Sequence, residues 1–318
     1  MESPRRALTH QRALAALLLL ASLGAALVEH RSPLAARVRE GKPWPFWLAV
    51  AGEGAPSFHL GVYNPVRRSL ALIHLPEQMR LEGKLTLGRA YMDALKASGS
   101  PAAATRAAED LAQARISELS LEPISWEGAG RLQDDLGVGS EEGEHAAAAT
   151  HALKARGRSP RAWASLAISA IRGLLHGEKT AADPLLLTLE LRRVTLDRLE
   201  PAFMPDEASA PVFLARVFAP SPSTPDDGRA VVVEVLNGAG RQGLAAQAAK
   251  MLRSRGVDVI SLGVAPRPRK RTVVYDRIGD FDRAARVRAA LGCPAAITVT
   301  RIDVLRGVDA SAELGGDC

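Results

Sequence analysis

The sequence predicts an α/β fold built in two units, and three observations predict it. From Trp44 to about Phe203, short apolar strands alternate with Ala-rich helical stretches. The stretch APSPSTPDDG (219–228) then breaks the chain with prolines, Ser, Asp and Gly that can continue neither a helix nor a central strand. From residue 230 a second run reads β-α-β-β-α-β. The length of 318 residues suits two domains that each bury a core, and 47% hydrophobic with 24% charged residues fits a folded chain rather than a disordered one.

Taken in order, residues 1–12 form a basic N-terminus containing Arg5, Arg6 and Arg12. They precede the uncharged run ALAALLLLASLGAALV (13–28), which would span about 24 Å as a helix, slightly short of a hydrocarbon core of about 30 Å. We assign it as a transmembrane helix that anchors the chain in the cytoplasmic (inner) membrane as a single pass. Gly24-Ala25-Ala26 leaves signal cleavage as the alternative. The basic flank would stay cytoplasmic, so either route puts the bulk of the chain outside. Residues 29–43, polar with Pro33 and Pro43, are a spacer, and residues 44–205 make the first domain. Its strands include HLGVYN (59–64) and LALIHL (70–75), and its helices include 102–119 and 161–175. Leu111, Ala114 and Ile116 are among the apolar positions of the helix 102–119, and 137–145 is an acidic loop. A linker is assigned to 206–229, and residues 230–318 make the second domain.

In that domain AVVVEVLN (230–237) is a strand, and a helix with Leu244, Ala248, Met251 and Leu252 on one face ends at Gly256. VDVISL (257–262) and TVVY (272–275) are strands, Asp280 N-caps a second helix, AITVT (296–300) is a strand, and 302–314 adds an edge. The charge is unevenly placed. Residues 229–318 hold 15 Lys+Arg against 9 Asp+Glu, so the whole net charge of +6 sits there. That favours an anionic partner. Within it, Arg269, Lys270 and Arg271 belong to the RPRKR run (267–271) between prolines, an exposed loop. Export and the lack of interleaved aromatics argue against nucleic acid, so none is expected, and an envelope polymer or lipid head group is the preferred partner.

Gly238-Ala-Gly240-Arg-Gln-Gly243 is a literal G-x-G-x-x-G after a strand and before a helix, with Asp258 twenty residues after Gly238. Such glycines serve either a tight strand-to-helix turn or an anion site at a helix N-terminus. Too few residues follow for a doubly wound dinucleotide fold, so no cofactor is expected. The seven His show no metal-ligand spacing, and no G-x-S-x-G occurs. Cys293 follows an apolar helix and reads as a small buried residue; its pairing with Cys318 in an oxidising compartment is left open.

VVVEVLNGAGRQGLAAQAAKMLRSRGVDVISLG (231–263), RTVVYDRIGDFDRAARVRAALG (271–292) and LGGD (314–317) together resemble the LytR C-terminal domain family over residues 230–317. The resemblance implies a cell-envelope setting. Residues 48–200 resemble a degenerate LytR–CpsA–Psr (LCP) domain through LGVYNPVRRSLALIHLP (60–76), KLTLGRAYMDALKASG (84–99), DDLGV (134–138) and ALKARGR (152–158). That resemblance implies an α/β/α domain; the element order of the second domain reads as a small split β-α-β-β-α-β unit. Members of that family transfer glycopolymer from a polyprenyl-pyrophosphate carrier to peptidoglycan, using acidic residues for Mg²⁺ and arginines for pyrophosphate. Here the early Asp falls near Pro56 and Ser57, the Arg-Asp pair is Glu77-Gln78, and the later Arg-rich stretch is shortened around 159–165. Arg156, Arg158 and Arg161 remain as phosphate ligands. The expectation is therefore a non-catalytic protein that binds or scaffolds anionic envelope glycopolymer or a lipid-linked precursor. An LCP-type phosphotransferase is the alternative, and no metal or catalytic residue is assigned.

Overall fold

The computed structural model describes residues 32–50, 56–126, 130–134, 160–177, 180–195, 198–219 and 228–318. Helix α1 (Pro33–Glu40) opens them. Ser32 caps it by accepting from the Ala35 N–H, and Pro33 occupies a first-turn position where its missing donor costs nothing. Strands β1 (Trp44–Val50), β2 (Ser57–Asn64) and β3 (Ser69–Leu75) form an antiparallel meander. At the β2–β3 turn the Asn64 side-chain oxygen accepts from the Val66 and Arg67 N–H groups. Gly61 must lack a side chain, because a Cβ there would lie 2.2 Å from the Phe46 ring.

A short hairpin, β4 (Arg80–Glu82) and β5 (Leu85–Thr86), leads into α2 (Leu87–Ser98) and α3 (Pro101–Leu119), capped by Thr86 and Ser100. Strand β6 (Gly130–Asp134) pairs with β1 in parallel from Phe46 onward, which leaves Pro45 near a strand start, where it is tolerated. Helices α4 (Pro160–Leu175) and α5 (Asp183–Leu191), strand β7 (Leu199–Phe203) and helix α6 (Ala210–Val217) complete the first half. Its sheet is covered on both faces. One core joins Phe58, Leu60, Val62 and Ile73 to α2, α3 and α6; the other joins Trp44, Phe46, Leu48 and Leu72 to α1 and α5.

The second half runs β8 (Val232–Asn237), α7 (Leu244–Ser254), β9 (Asp258–Val264), β10 (Val273–Asp276), α8 (Phe281–Leu291), β11 (Ile297–Thr300), a 3₁₀ turn at Val304–Arg306 and β12 (Ala310–Leu314). Both helices pack on one face, where Leu244, Ala248 and Leu252 of α7 meet Ala284, Val287 and Leu291 of α8 over Val233, Val235 and Ala312. The two halves share one ten-stranded sheet, in the order β6-β1-β2-β3-β7-β11-β10-β12-β8-β9. The seam is a single parallel pair, Ala202↔Thr300. It is reinforced by Arg67, which pairs with Asp282 at 2.9 Å, and by Arg216, which donates to the Ile278 carbonyl.

The mixed α/β class stands, with three differences from the sequence expectations, and the cysteine pairing left open by the sequence is resolved. The segment 206–217, assigned to the linker, contains α6, whose Ala210, Phe213 and Leu214 are buried in the first half's core. The C-terminal unit is not split: each βαβ pair puts its strands side by side, and the segment expected at an edge supplies β12, which inserts between β10 and β8. In α3 the buried stripe is Ala104, Ala108, Ala112 and Ile116, while Leu111 is 40% exposed, because small Ala side chains let that helix sit close to its neighbours. Cys293 is paired with Cys318, their Cα atoms 5.1 Å apart. The apolar run 13–28 and the acidic loop 137–145 lie outside the described residues. Among the described residues no helix is long and apolar enough to cross a membrane.

Candidate functional site

The glycine motif lies where β8 ends. Asn237 braces the turn from both sides, accepting from the Ala239 N–H and donating to the Arg241 carbonyl. Gly238 is pinned between two chains: its N–H donates to the Leu314 carbonyl, and its own carbonyl accepts from the Arg269 N–H. A Cβ at Gly238 would lie 2.8 Å from the Leu314 oxygen and 2.9 Å from Arg269 Cγ. Gly240 and Gly243 take φ of +69° and +78°, a region that L side chains rarely adopt. Gly243 is the N-cap of α7, which has no side-chain cap. The three glycines thus have turn and close-approach roles. The helix end they leave without a side-chain cap opens beside Arg241.

The basic run 267–271 crosses this turn as a strap. Arg267, Lys270 and Arg271 are exposed, but Arg269 turns inward. Its Nε donates to Glu313 Oε2 at 2.7 Å and a terminal nitrogen donates to the Tyr275 hydroxyl at 2.9 Å. Arg269 therefore fastens the strap to the sheet face opposite the helices. That face is closed largely by arginines rather than by a third layer. Arg277 lies 4.7 Å over the Tyr275 ring and donates to Ser311 Oγ, Ser311 donates to Glu234, and Arg306 pairs with Glu234 at 2.6 Å. Burial holds the Arg277 guanidinium below its usual range.

The strap's far side is held by residues 315–318. Gly315 passes so close that a Cβ would lie 2.3 Å from the Arg271 backbone, and Gly316 N–H donates to the Arg269 carbonyl. Asp317 Oδ1 accepts from both the N–H and the hydroxyl of Thr272, and Arg241 donates to the Cys318 carbonyl. The structure thus brings Gly238, Gly240, Gly243, Arg269, Lys270 and Arg271 into one region. Sequence reasoning missed Arg241, Thr272, Glu313 and Asp317, which assemble from three separate segments; the only signal was that Arg241, Thr272 and Asp317 fall within the stretches that carry the family resemblance. Arg156 and Arg158 lie outside the described residues. Arg161 lies in the first turn of α4, in the first half of the chain.

In that first half, an open cleft of about 530 Å³ sits at the start of α2, lined by Glu77, Gln78, Arg89, Met92, Asp93 and Lys96. Gly88 donates its N–H to the Glu77 carbonyl, which fixes the loop after β3 against the helix N-terminus. Two acids and two bases make this lining close to neutral. Among the described residues, no three His, Cys, Asp or Glu side chains gather as a metal-ligand set.

Asp276 and Asp183 are among the carboxyls buried away from both regions. Asp276, fully buried, accepts from the N–H groups of Ile278, Gly279 and Asp280 and from the Thr300 hydroxyl, so it shapes the turn into α8. Burial pushes its carboxyl up to about 6 against those donors. Asp183, at the start of α5, accepts from Ser32 Oγ at 2.5 Å, and burial likewise pushes it up to about 6.

Residues 230–309 match the model of one family, described as LytR cell envelope-related transcriptional attenuator. Residues 48–200 lie outside that match, and it does not bear on their resemblance to an LCP domain. No curated protein matches the chain. A structure titled as the solution structure of the C-terminal domain of RV0431 is 24% identical, with 31% of this chain and 83% of that one covered. Its TM-score of 0.20 is too low to carry an argument. Residues 230–309 form a LytR_C domain, and that family points to a cell-envelope-related protein.

Proposed function

We propose that this chain is a membrane-anchored, extracytoplasmic binding or scaffolding protein, and that its C-terminal half takes an anionic envelope glycopolymer or the phosphate head of a lipid-linked precursor. The observation that carries this reading is the loop end of that half. Exposed Arg267, Lys270 and Arg271 stand beside Arg241 and the α7 N-terminus, on a scaffold already fixed by Arg269 and Asp317. Cations on a rigid loop next to a helix N-terminus favour multivalent phosphate, and arginines can hold it bidentately. The Cys293–Cys318 disulfide supports an oxidising, extracytoplasmic compartment. The apolar run 13–28 would supply the tether. No metal, cofactor or nucleic acid enters this reading.

The test is binding of the full chain in detergent to a phosphate-bearing glycopolymer and to a neutral glycan of equal length, at several salt concentrations. Binding should be confined to the phosphate-bearing polymer and weaken with salt. Reversing Arg267, Lys270 and Arg271 together to Glu should cost at least about tenfold, or about 1.4 kcal/mol. Equal affinity for the neutral glycan would sink the reading.

The second reading is an LCP-type phosphotransferase, with Arg156, Arg158 and Arg161 as pyrophosphate ligands. The cleft favours it to the extent that Glu77 and Asp93 put two carboxylates beside Arg89 and Lys96. Mg²⁺-dependent turnover of a polyprenyl-pyrophosphate analogue, lost in a Glu77→Gln/Asp93→Asn variant, would establish it over the binding reading.

A further inference from the structure

We propose that the Cys293–Cys318 disulfide is a redox-sensitive clasp on the basic loops. When it is oxidised, residues 315–318 lock the strap and the glycine turn together; when it is reduced, both loosen. Helix α8 ends at Gly292, whose φ of +69° closes the helix, and Cys293 follows at once on a fixed element. Cys318 lies four residues beyond the last residue of β12. Along this stretch, Gly316 holds the Arg269 carbonyl, Asp317 holds the N–H and hydroxyl of Thr272, and Cys318 holds Arg241. The same short segment therefore grips the strap at two points and the glycine turn at one, and the disulfide ties it to α8.

Gly316 is exposed, and Asp317 and Cys318 are half-buried, so their hydrogen bonds compete with water. Gly315 before them is buried and donates to Thr272 Oγ1, but the three residues beyond it are chain-end residues held by such bonds, and these fray readily. The covalent tie is what makes those bonds persistent. Both cysteines are half-buried, within reach of a small dithiol. One thiolate of the dithiol attacks a cystine sulfur and the S–S bond breaks, leaving a mixed disulfide. The second thiolate then closes the oxidised dithiol ring. Two electrons and two protons pass to the protein, and Cys293 and Cys318 leave as thiols. Strands β8 and β12 keep their ladder and their apolar core in either state, so opening stays local. The clasp does not depend on the anion-binding reading.

The experiment is amide hydrogen exchange on the full chain, oxidised and dithiothreitol-reduced, followed by mass. Peptides covering 238–244 and 267–272 should exchange at least about tenfold faster after reduction, while those covering 232–237 and 310–314 stay unchanged. Cys318→Ser should reproduce the reduced pattern. Asp317→Ala with the disulfide intact should loosen 267–272 and leave 238–244 protected. Unchanged exchange in both loops on reduction would overturn the clasp. Equal loss of protection in the two strands would also overturn it, because the disulfide would then be a staple for the whole module.

Discussion

Arg269→Ala should be among the most damaging single changes in the C-terminal half, although its sequence neighbours are exposed loop cations. The Arg269–Glu313 pair is 2.7 Å apart, with side chains only 13% and 6% exposed. Glu313 lies in β12, flanked by β10 and β8, so water cannot replace the lost guanidinium. At 2.7 Å and an effective dielectric of about 20, the gross attraction is about 6 kcal/mol, much of it offset by desolvation. Removing one partner of such a pair leaves an uncompensated buried charge and costs about 3 kcal/mol or more. The Tyr275 hydroxyl also loses its donor. Urea unfolding of the full chain reads this directly. Arg269→Ala should lower the midpoint well below wild type, while Lys270→Ala should stay within about 0.5 kcal/mol. Arg269→Met/Glu313→Leu should recover much of the loss, since apolar pairs of similar volume often replace buried ion pairs at little cost. If Arg269→Ala unfolds no more easily than Lys270→Ala, or if the double variant is simply additive, the inward strap is wrong.

Gly61→Ala places a methyl against the Phe46 ring in the middle of the first sheet; a loss of about 3 kcal/mol by urea unfolding is expected, with partial rescue by Phe46→Leu. Asp276 has its carboxyl raised above its unfolded value, so the native state holds that proton more tightly. Its contribution is present at low pH and is lost as pH rises from about 4 to about 6. Subtracting the unfolding free energy of Asp276→Asn across that range should reveal a fall of up to about 3 kcal/mol, and a flat difference would refute it. Ser32→Ala removes both the cap of α1 and the donor to Asp183, and should cost about 1–2 kcal/mol in the same assay.

Most elements were legible because their signals are local. The Asp280 cap, the Gly256 stop and the apolar runs 59–64 and 70–75 each fix an element from neighbouring residues. What failed was long-range. Nothing in ASAEL marks a central strand: Ser311 and Glu313 look like an edge until Arg277 and Arg269 arrive from other segments to cover them. α6 was hidden because its eight residues adjoin a Pro-rich stretch and look like part of it. In the candidate site the glycines and the strap were visible as motifs, but the inward turn of Arg269 was not, because its partners are 6 and 44 residues away.

The position of β12 also bears on how the second half assembles. Strands β8–β9 and β10–β11 are each closed by a helix crossover, so each βαβ unit can form from one continuous stretch of chain. They can meet only through β12, which follows both in sequence and must be threaded between them. Until residues 310–314 arrive, β8 and β10 each present a bare edge, the kind of surface on which strands from other molecules pair. The step that joins them closes long loops and is intrinsically slow. This half is therefore most vulnerable to aggregation in the interval before its last strand is inserted.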